Sequence, residues 1–149
     1  MPTHFSGTKE QKATLNTFIK LMRATESLNQ RLCRHLSEAN LTVSQFGILE
    51  ALLHLGAQNQ KELGKKLLKS GGNITLVIDN LEKSGLVSRK KDQNDRRALI
   101  IELTVQGKSF IEDFFPKHLN KISEEFSILD DKEKAELGRL CKKIGMKEE

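Results

Sequence analysis

The sequence contains no tryptophan and no tyrosine, only two prolines and two cysteines, and no long apolar run. Without tyrosine, no phenolic side chain can hydrogen-bond an effector or oxidised sulfur. The cysteines, Cys33 and Cys141, lie far apart and outside any metal-ligand spacing, so they read as reduced structural thiols. No stretch approaches the roughly 18–20 apolar residues that span a bilayer. The opening MPTHFSGTKEQK lacks the apolar centre of a signal peptide, so the expected location is the cytoplasm. His4, His35, His54 and His118 show no i,i+3 or i,i+4 pairing, which leaves a metal site without a basis. No nucleophile–base pattern, phosphate loop or pair of carboxylates in an apolar setting occurs. The reading is of a protein that is not an enzyme and needs no cofactor.

What is present is charge in one place. The chain of 149 residues has a net charge of +5, and between Lys61 and Arg97 ten lysines and arginines face five acidic residues. That stretch holds the whole cationic surplus, a distribution that suits a polyanionic partner better than the mild overall bias does.

Periodicity divides the chain into elements. Residues 8 to about 37 carry an amphipathic helix, with Leu21, Leu28, Leu32 and Leu36 in register and Leu15, Phe18 and Met22 beside them. Thr42 to Gln45 forms a capping box before Phe46, Leu49, Leu52 and Leu53, and Gly56 ends that helix. Asn59 to Glu62 opens a short helix with Leu63 and Leu67 inward. Ser70 caps a third, where Ile74, Val77, Ile78 and Leu81 recur at helical spacing and Gly85 gives the stop. From Leu86 the period becomes two: Leu86–Lys91 and Ala98–Leu103 read as strands around a polar turn, Asp92–Arg97. Thr104 then caps a long helix to about Ser127 with the stripe Ile111, Phe115, Leu119, Ile122 and Phe126, and Pro116 inside it predicts a kink. Asp130 to Glu133 caps a last helix, with Leu137, Leu140, Cys141 and Ile144 inward.

The fold class that follows is mainly α with a small β-hairpin wing. A winged helix-turn-helix at residues 41–104 is flanked by an N-terminal dimerisation helix at 1–40 and C-terminal dimerisation helices at 105–149, together one intertwined domain. Long apolar helices at both ends of a small module are best buried against a second copy.

The helix after Ser70 turns Gly72, Asn73, Thr75, Leu76, Asp79 and Asn80 away from its core stripe. In a DNA-reading helix the first turn points at the bases. Gly71 and Gly72 permit close backbone approach, and the N-terminus favours phosphate. Asn73 could bond adenine bidentately, and Thr75 or Leu76 could touch a thymine methyl. The alternative is a plain surface helix. The hairpin adds support: Arg89, Lys90 and Lys91 climb one strand, Arg96 and Arg97 sit at its return, and Asp95 can hold Arg97 in a fixed fork. A solvated edge ribbon guarded by charge is the competing account, and it explains lysine better than an Asp-Arg-Arg turn.

Residues 41–107 resemble the MarR family of bacterial transcriptional regulators. The resemblance lies in Leu41-Thr42 with Gln45, Leu63-Gly64, Ser70 with Ile74-Thr75, and Asp79-Asn80-Leu81-Glu82. It continues in Gly85-Leu86-Val87 with Arg89, Asp95-Arg96-Arg97-Ala98, and Leu103-Thr104 with Gly107. It implies an obligate homodimer with intertwined terminal helices, a recognition helix from Ser70 to Ser84, and a wing in which Asp95 braces Arg97 for the minor groove of a pseudo-palindromic operator on double-stranded DNA. The DNA-binding set so implied is Ser70, Gly71, Gly72, Asn73, Thr75, Leu76, Asn80, Arg89, Asp95, Arg96 and Arg97. Leu76 departs from the pattern, since many relatives carry arginine there. The run Ser70 to Thr75 and Pro116 are similar to the hydroquinone- and phenol-responsive branch.

The resemblance further implies a small aromatic or anionic effector, bound where the first helix, the helix after Leu41 and the long helix converge. Leu28, Arg31, Leu32, His35, Phe46, Leu49 and Phe110 would line it, or else form core and dimer interface. Two other mechanisms stay open: a thiol-redox switch at Cys33, whose neighbours Arg31, Arg34 and His35 could lower a thiol pKa if they converge, and a winged-helix module that mainly binds a protein partner.

Overall fold

The computed structural model describes residues 3–67 and 69–147, so the ends of the ranges 1–40 and 105–149 and Leu68 lie outside the description. Six helices and three strands follow in the order α1 (Lys9–Glu38), α2 (Val43–Leu55), β1 (Gln58–Asn59), α3 (Gln60–Lys66), α4 (Gly71–Lys83), β2 (Val87–Lys91), β3 (Leu99–Leu103), α5 (Val105–Phe126) and α6 (Asp131–Gly145). The helices start where side chains satisfy orphan backbone N–H groups. Thr8, Thr42 and Asp130 form complete capping boxes with Gln11, Gln45 and Glu133. Asn59, Ser70 and Thr104 accept from the first turn of α3, α4 and α5. Among the described residues no helix is long and apolar enough to cross a membrane.

The strands form one antiparallel sheet in the order β1-β3-β2. Val87 faces Leu103 and Lys91 faces Leu99, which sets the wing hairpin expected from the period of two. β1 was not expected: its two polar residues pair with Ile100 and Ile101 through backbone groups, and a polar dipeptide carries no strand signal.

The core is assembled from Ile48, Leu49 and Leu52 of α2, Leu63 of α3, Ile74, Ile78 and Leu81 of α4, Val87, Ile101, and Ile111 of α5, all with almost no exposure. Burying each such side chain contributes roughly 1.5–3 kcal/mol. Gly107 lets α5 approach closely: a Cβ there would stand 1.8 Å from the Leu86 carbonyl oxygen. Gly85, at φ +76°, makes the turn from α4 into β2.

Outside the module the apolar stripes behave differently from the sequence reading. On α5 the buried residues are Gly107, Ile111, Phe114 and His118, so the inward ridge runs beside the expected line and Leu119 is exposed. No residue of α6 is buried, and Leu137, Leu140 and Ile144 face out of the single chain. Of the 30 residues of α1 only Leu36 is buried. Periodicity marks an apolar face but not what covers it, and in the single chain the stripe of α6 stays uncovered. α5 runs on through Pro116 as one helix.

Candidate nucleic-acid interface

Three elements meet on one side of the module: the start of α3, the start of α4, and the wing. α4 buries Ile74, Ile78 and Leu81, which leaves Gly71, Gly72, Asn73, Leu76 and Asn80 exposed. Leu76 is 59% exposed, a large apolar side chain with no internal role. Nothing in the chain lies within 4 Å of where a Cβ on Gly71 or Gly72 would stand, so no internal packing explains this glycine pair. Ser70 caps the helix by accepting from the Asn73 backbone N–H at 3.3 Å. The Thr75 hydroxyl donates to the Gly71 carbonyl at 2.9 Å and accepts from Gln60 Nε2 at 3.1 Å, which leaves mainly its methyl group for an outside contact.

The wing tip is built by aspartates. Asp92 accepts from the Asn94 N–H at 2.9 Å and Asp95 from the Arg97 N–H at 3.0 Å, and Ala98 N–H closes the turn on the Asp95 carbonyl. This corrects the expected fork. Asp95 holds the backbone of Arg97, and no ion pair joins their side chains among the described residues. The short side chain turns back onto the local N–H, as Asp does in tight turns. Lys91, Arg96 and Arg97 are exposed and have no ion-pair partner among the described residues. Lys90 instead bonds Glu102 at 2.5 Å and holds that carboxyl below the usual carboxylate range. A groove of about 520 Å³ lies between Gln60, Lys61, Gly71, Thr75, Asp95 and Arg97, so the helix N-terminus and the wing arginine share one concavity.

Arg89 requires a second correction. It lies next to this surface, but its guanidinium is bonded inward to Asp79, Gln60 and the Thr75 carbonyl, and its side chain is only 18% exposed.

Of the residues named for an effector site, His35, Phe46 and Phe110 meet around Phe114. Leu28, Leu32, His35, Phe46 and Phe110 are half-buried, while Leu49 is fully buried core and does not line a surface. Arg31 is committed: its Nε meets Glu125 of α5 at 2.7 Å and Nη1 reaches Ser27 at 2.5 Å. His35 Nδ1 lies 2.9 Å from His118 Nδ1. The two rings stack with each other and with Phe114, while Phe46 stands edge-on to His118. His118 is 3% exposed, and its pKa is lowered by burial first and by the neighbouring His35 second. Sequence reasoning missed Phe114, His118 and Glu125, although Phe114 and His118 stand at i+3 and i+7 from Ile111. Arg31 and His35 are turned to α5, so two of the three neighbours named for a switch at the half-buried Cys33 are engaged there. No cluster of three or more metal-type ligands occurs among the described residues.

Comparison with known proteins agrees with this geometry. The MarR family model matches residues 41–99. The HTH-type transcriptional regulator MhqR of Bacillus subtilis is 35% identical over 133 residues, covering 89% of this chain and 92% of its own. A mutant MarR from Escherichia coli complexed with operator DNA superposes with a TM-score of 0.75 at 29% identity, over 87% of this chain and 96% of that one. NadR in complex with 4-hydroxyphenylacetate superposes with a TM-score of 0.73 at 25% identity, over 99% and 100%. Both the sequence motifs of the module and its winged architecture are therefore shared with transcriptional regulators rather than enzymes, and the chain belongs to the MarR family.

Proposed function

We propose that this protein acts in the cytoplasm as a homodimer that binds a pseudo-palindromic operator on double-stranded DNA, represses transcription there, and is released by a small aromatic or anionic ligand. The observation that carries the reading is the shared concavity of the α4 N-terminus and an unpaired wing arginine. α4 enters the major groove, where Ser70, Gly71 and Gly72 approach the backbone and Asn73, Leu76, Asn80 and the Thr75 methyl face base edges. Arg96 and Arg97 lie along the adjacent minor groove or phosphates, and Asp95 shapes the turn that presents them. The uncovered apolar faces of α1 and α6 support assigning residues 1–40 and 105–149 to dimerisation.

Selecting bound duplexes from a random pool tests the DNA reading. The expected product is a pair of half-sites one helical turn apart, roughly 10 base pairs centre to centre. Failure to enrich any sequence, or a folded monomer in sedimentation at micromolar concentration, would overturn it. A steep fall of affinity with salt separates DNA from a protein partner, whose apolar interface responds much less. For the ligand, gel-shift titration with phenols, quinols and aromatic acids is expected to lower operator affinity by ~1–3 kcal/mol at saturation, as is ordinary for such coupling. His35→Ala should blunt that response. Release by peroxide alone, prevented by Cys33→Ser, would replace the ligand with a thiol switch.

A further inference from the structure

Arg89 occupies the middle of β2, where a wing cation would be expected to meet phosphate, yet each of the three nitrogens of its guanidinium donates a hydrogen bond inside the protein. Nη1 bonds the Asp79 carboxylate, Nη2 donates to the Thr75 carbonyl at 3.1 Å, and Nε donates to Gln60 Oε1 at 3.3 Å. Glu82 adds a carboxylate oxygen 3.6 Å from Nη1 and accepts the Arg89 backbone N–H at 3.2 Å. Thr75, Asp79 and Glu82 lie along one flank of α4, and Gln60 is the first residue of α3. Gln60 also donates to the Thr75 hydroxyl, so strand, α3 and α4 are tied in a closed ring of hydrogen bonds. A planar fork with fixed donor directions suits this task, and a lysine ammonium on a flexible stem does not.

Two carboxylates neutralise the guanidinium, so a phosphate would have to displace them to reach it. The ring instead controls geometry. It joins the element proposed to read bases to the ribbon proposed to grip the backbone, and a recognition constellation tolerates errors of only about 0.5 Å and 10–20°.

We infer that Arg89 is the positioning residue of the DNA interface: it makes no DNA contact and fixes the angle of α4 against the wing, so that base reading and wing insertion occur in one pose. This rests on the reading of α4 as the recognition helix.

The test compares Arg89→Ala, Arg89→Lys and Asp79→Asn with wild type on the duplex that wild type selects from a random pool, and on a scrambled duplex, across a salt series. Circular dichroism and thermal melting accompany each variant. Arg89→Ala is expected to lose about tenfold on the selected duplex, the worth of one misread base pair. It should lose little on scrambled DNA and keep the wild-type salt slope. Arg89→Lys should behave like Arg89→Ala although it keeps the charge, and Asp79→Asn should also weaken selected binding.

A phosphate contact gives the opposite pattern. Loss would be equal on both duplexes, the salt slope would fall by about one, lysine would rescue, and Asp79→Asn would tighten binding by freeing the cation. That set of results overturns the inference. Should Arg89→Ala fail to fold, Arg89→Lys and Asp79→Asn decide on the same criteria. If Asn73→Ala and Leu76→Ala also leave selected binding untouched, α4 is not the recognition helix, and the reading beneath the inference fails rather than the inference alone.

Discussion

The winged module and the terminal helices carry similar apolar periodicity, and that periodicity meets different things. In the module, Ile48, Leu49, Leu63, Ile78, Leu81 and Ile101 interlock from four elements with almost no exposure. In α1 only Leu36 is buried, and in α6 nothing is, although Leu140 is 42% and Ile144 61% exposed on a clear stripe. A helical stripe therefore states that a face is to be covered without saying by what. The module answers the question within its own chain, whereas the stripe of α6 stays open in a single chain, which is why a second copy is proposed to cover it. The two regions should accordingly respond to mutation through different observables.

The largest effect is expected at their junction. Gly107 places the first turn of α5 against the Leu86 carbonyl, and a Cβ would stand 1.8 Å from that oxygen. Neither backbone can yield without undocking α5, so Gly107→Ala should cost at least about 4 kcal/mol in urea unfolding, within the range that single mutations rarely reach. Gly72→Ala is the internal contrast: its Cβ meets nothing, so stability should hold while operator binding falls. Comparable stability losses at both positions would break the distinction between a glycine needed for packing and one left for a partner.

The terminal helices should fail through association instead. Charging the α6 stripe with Leu140→Glu and Ile144→Glu removes two apolar side chains worth roughly 1.5–3 kcal/mol each when buried. Sedimentation should then show dissociation at micromolar concentration, while the module keeps its helical signal. Retention of the wild-type sedimentation coefficient would mean that α6 is not in the dimer interface.

Much of this division was legible in the sequence, for identifiable reasons. Capping boxes at Thr42 and Asp130 and the cap at Ser70 mark helix starts because few other residues satisfy an orphan N–H. The wing was legible from the change of period at Leu86. β1 was not, because its pairing is all backbone. The buried line of α5 was misplaced since phenylalanine occupies both Phe114 and Phe115, and apolar counting cannot choose between adjacent phases. Among site residues, the exposed face of α4 followed directly from the core stripe. The partners of Arg89 and Asp95 did not: Asp79 and Glu82 stand on α4 and Arg89 on β2, so periodicity within either element cannot pair them, and a two-residue spacing cannot say whether Asp95 meets the backbone or the side chain of Arg97.

A smaller and more selective effect is expected on the outer face of the module. Asn73 is exposed in the first turn of α4 with its side chain free of the core. Asn73→Ala should cost about 1–3 kcal/mol on the selected operator and relax discrimination at one base pair. Arg97→Ala should weaken selected and unrelated duplexes together, because a wing arginine works through groove shape and backbone charge. Fluorescence anisotropy on matched and single-substituted duplexes reads both. Equal losses on all duplexes for Asn73→Ala would remove it from base reading.

The smallest effect sharpens the comparison at the seam, where α5 joins the module to α1. His118 is buried against Phe46 and Phe114 and shares its Nδ1 contact with His35. Burial first, and the adjacent His35 second, lower its pKa in the folded protein. In the unfolded chain the same imidazole takes a proton near the ordinary value of about 6.5. Below that pH the unfolded state binds a proton that the folded state refuses, so stability falls as pH decreases from about 6.5 towards the folded value, and it is independent of this group above. No carboxylate lies within ion-pair distance of either ring among the described residues, so nothing offsets the charge. Urea midpoints of wild type and His118→Phe, measured between pH 8 and pH 5, should therefore run parallel at the alkaline end and diverge on acidification, with wild type losing stability faster. A wild-type midpoint that rises on acidification relative to His118→Phe would mean that the folded protein stabilises the imidazolium, and that the seam is polar rather than part of the module's apolar edge.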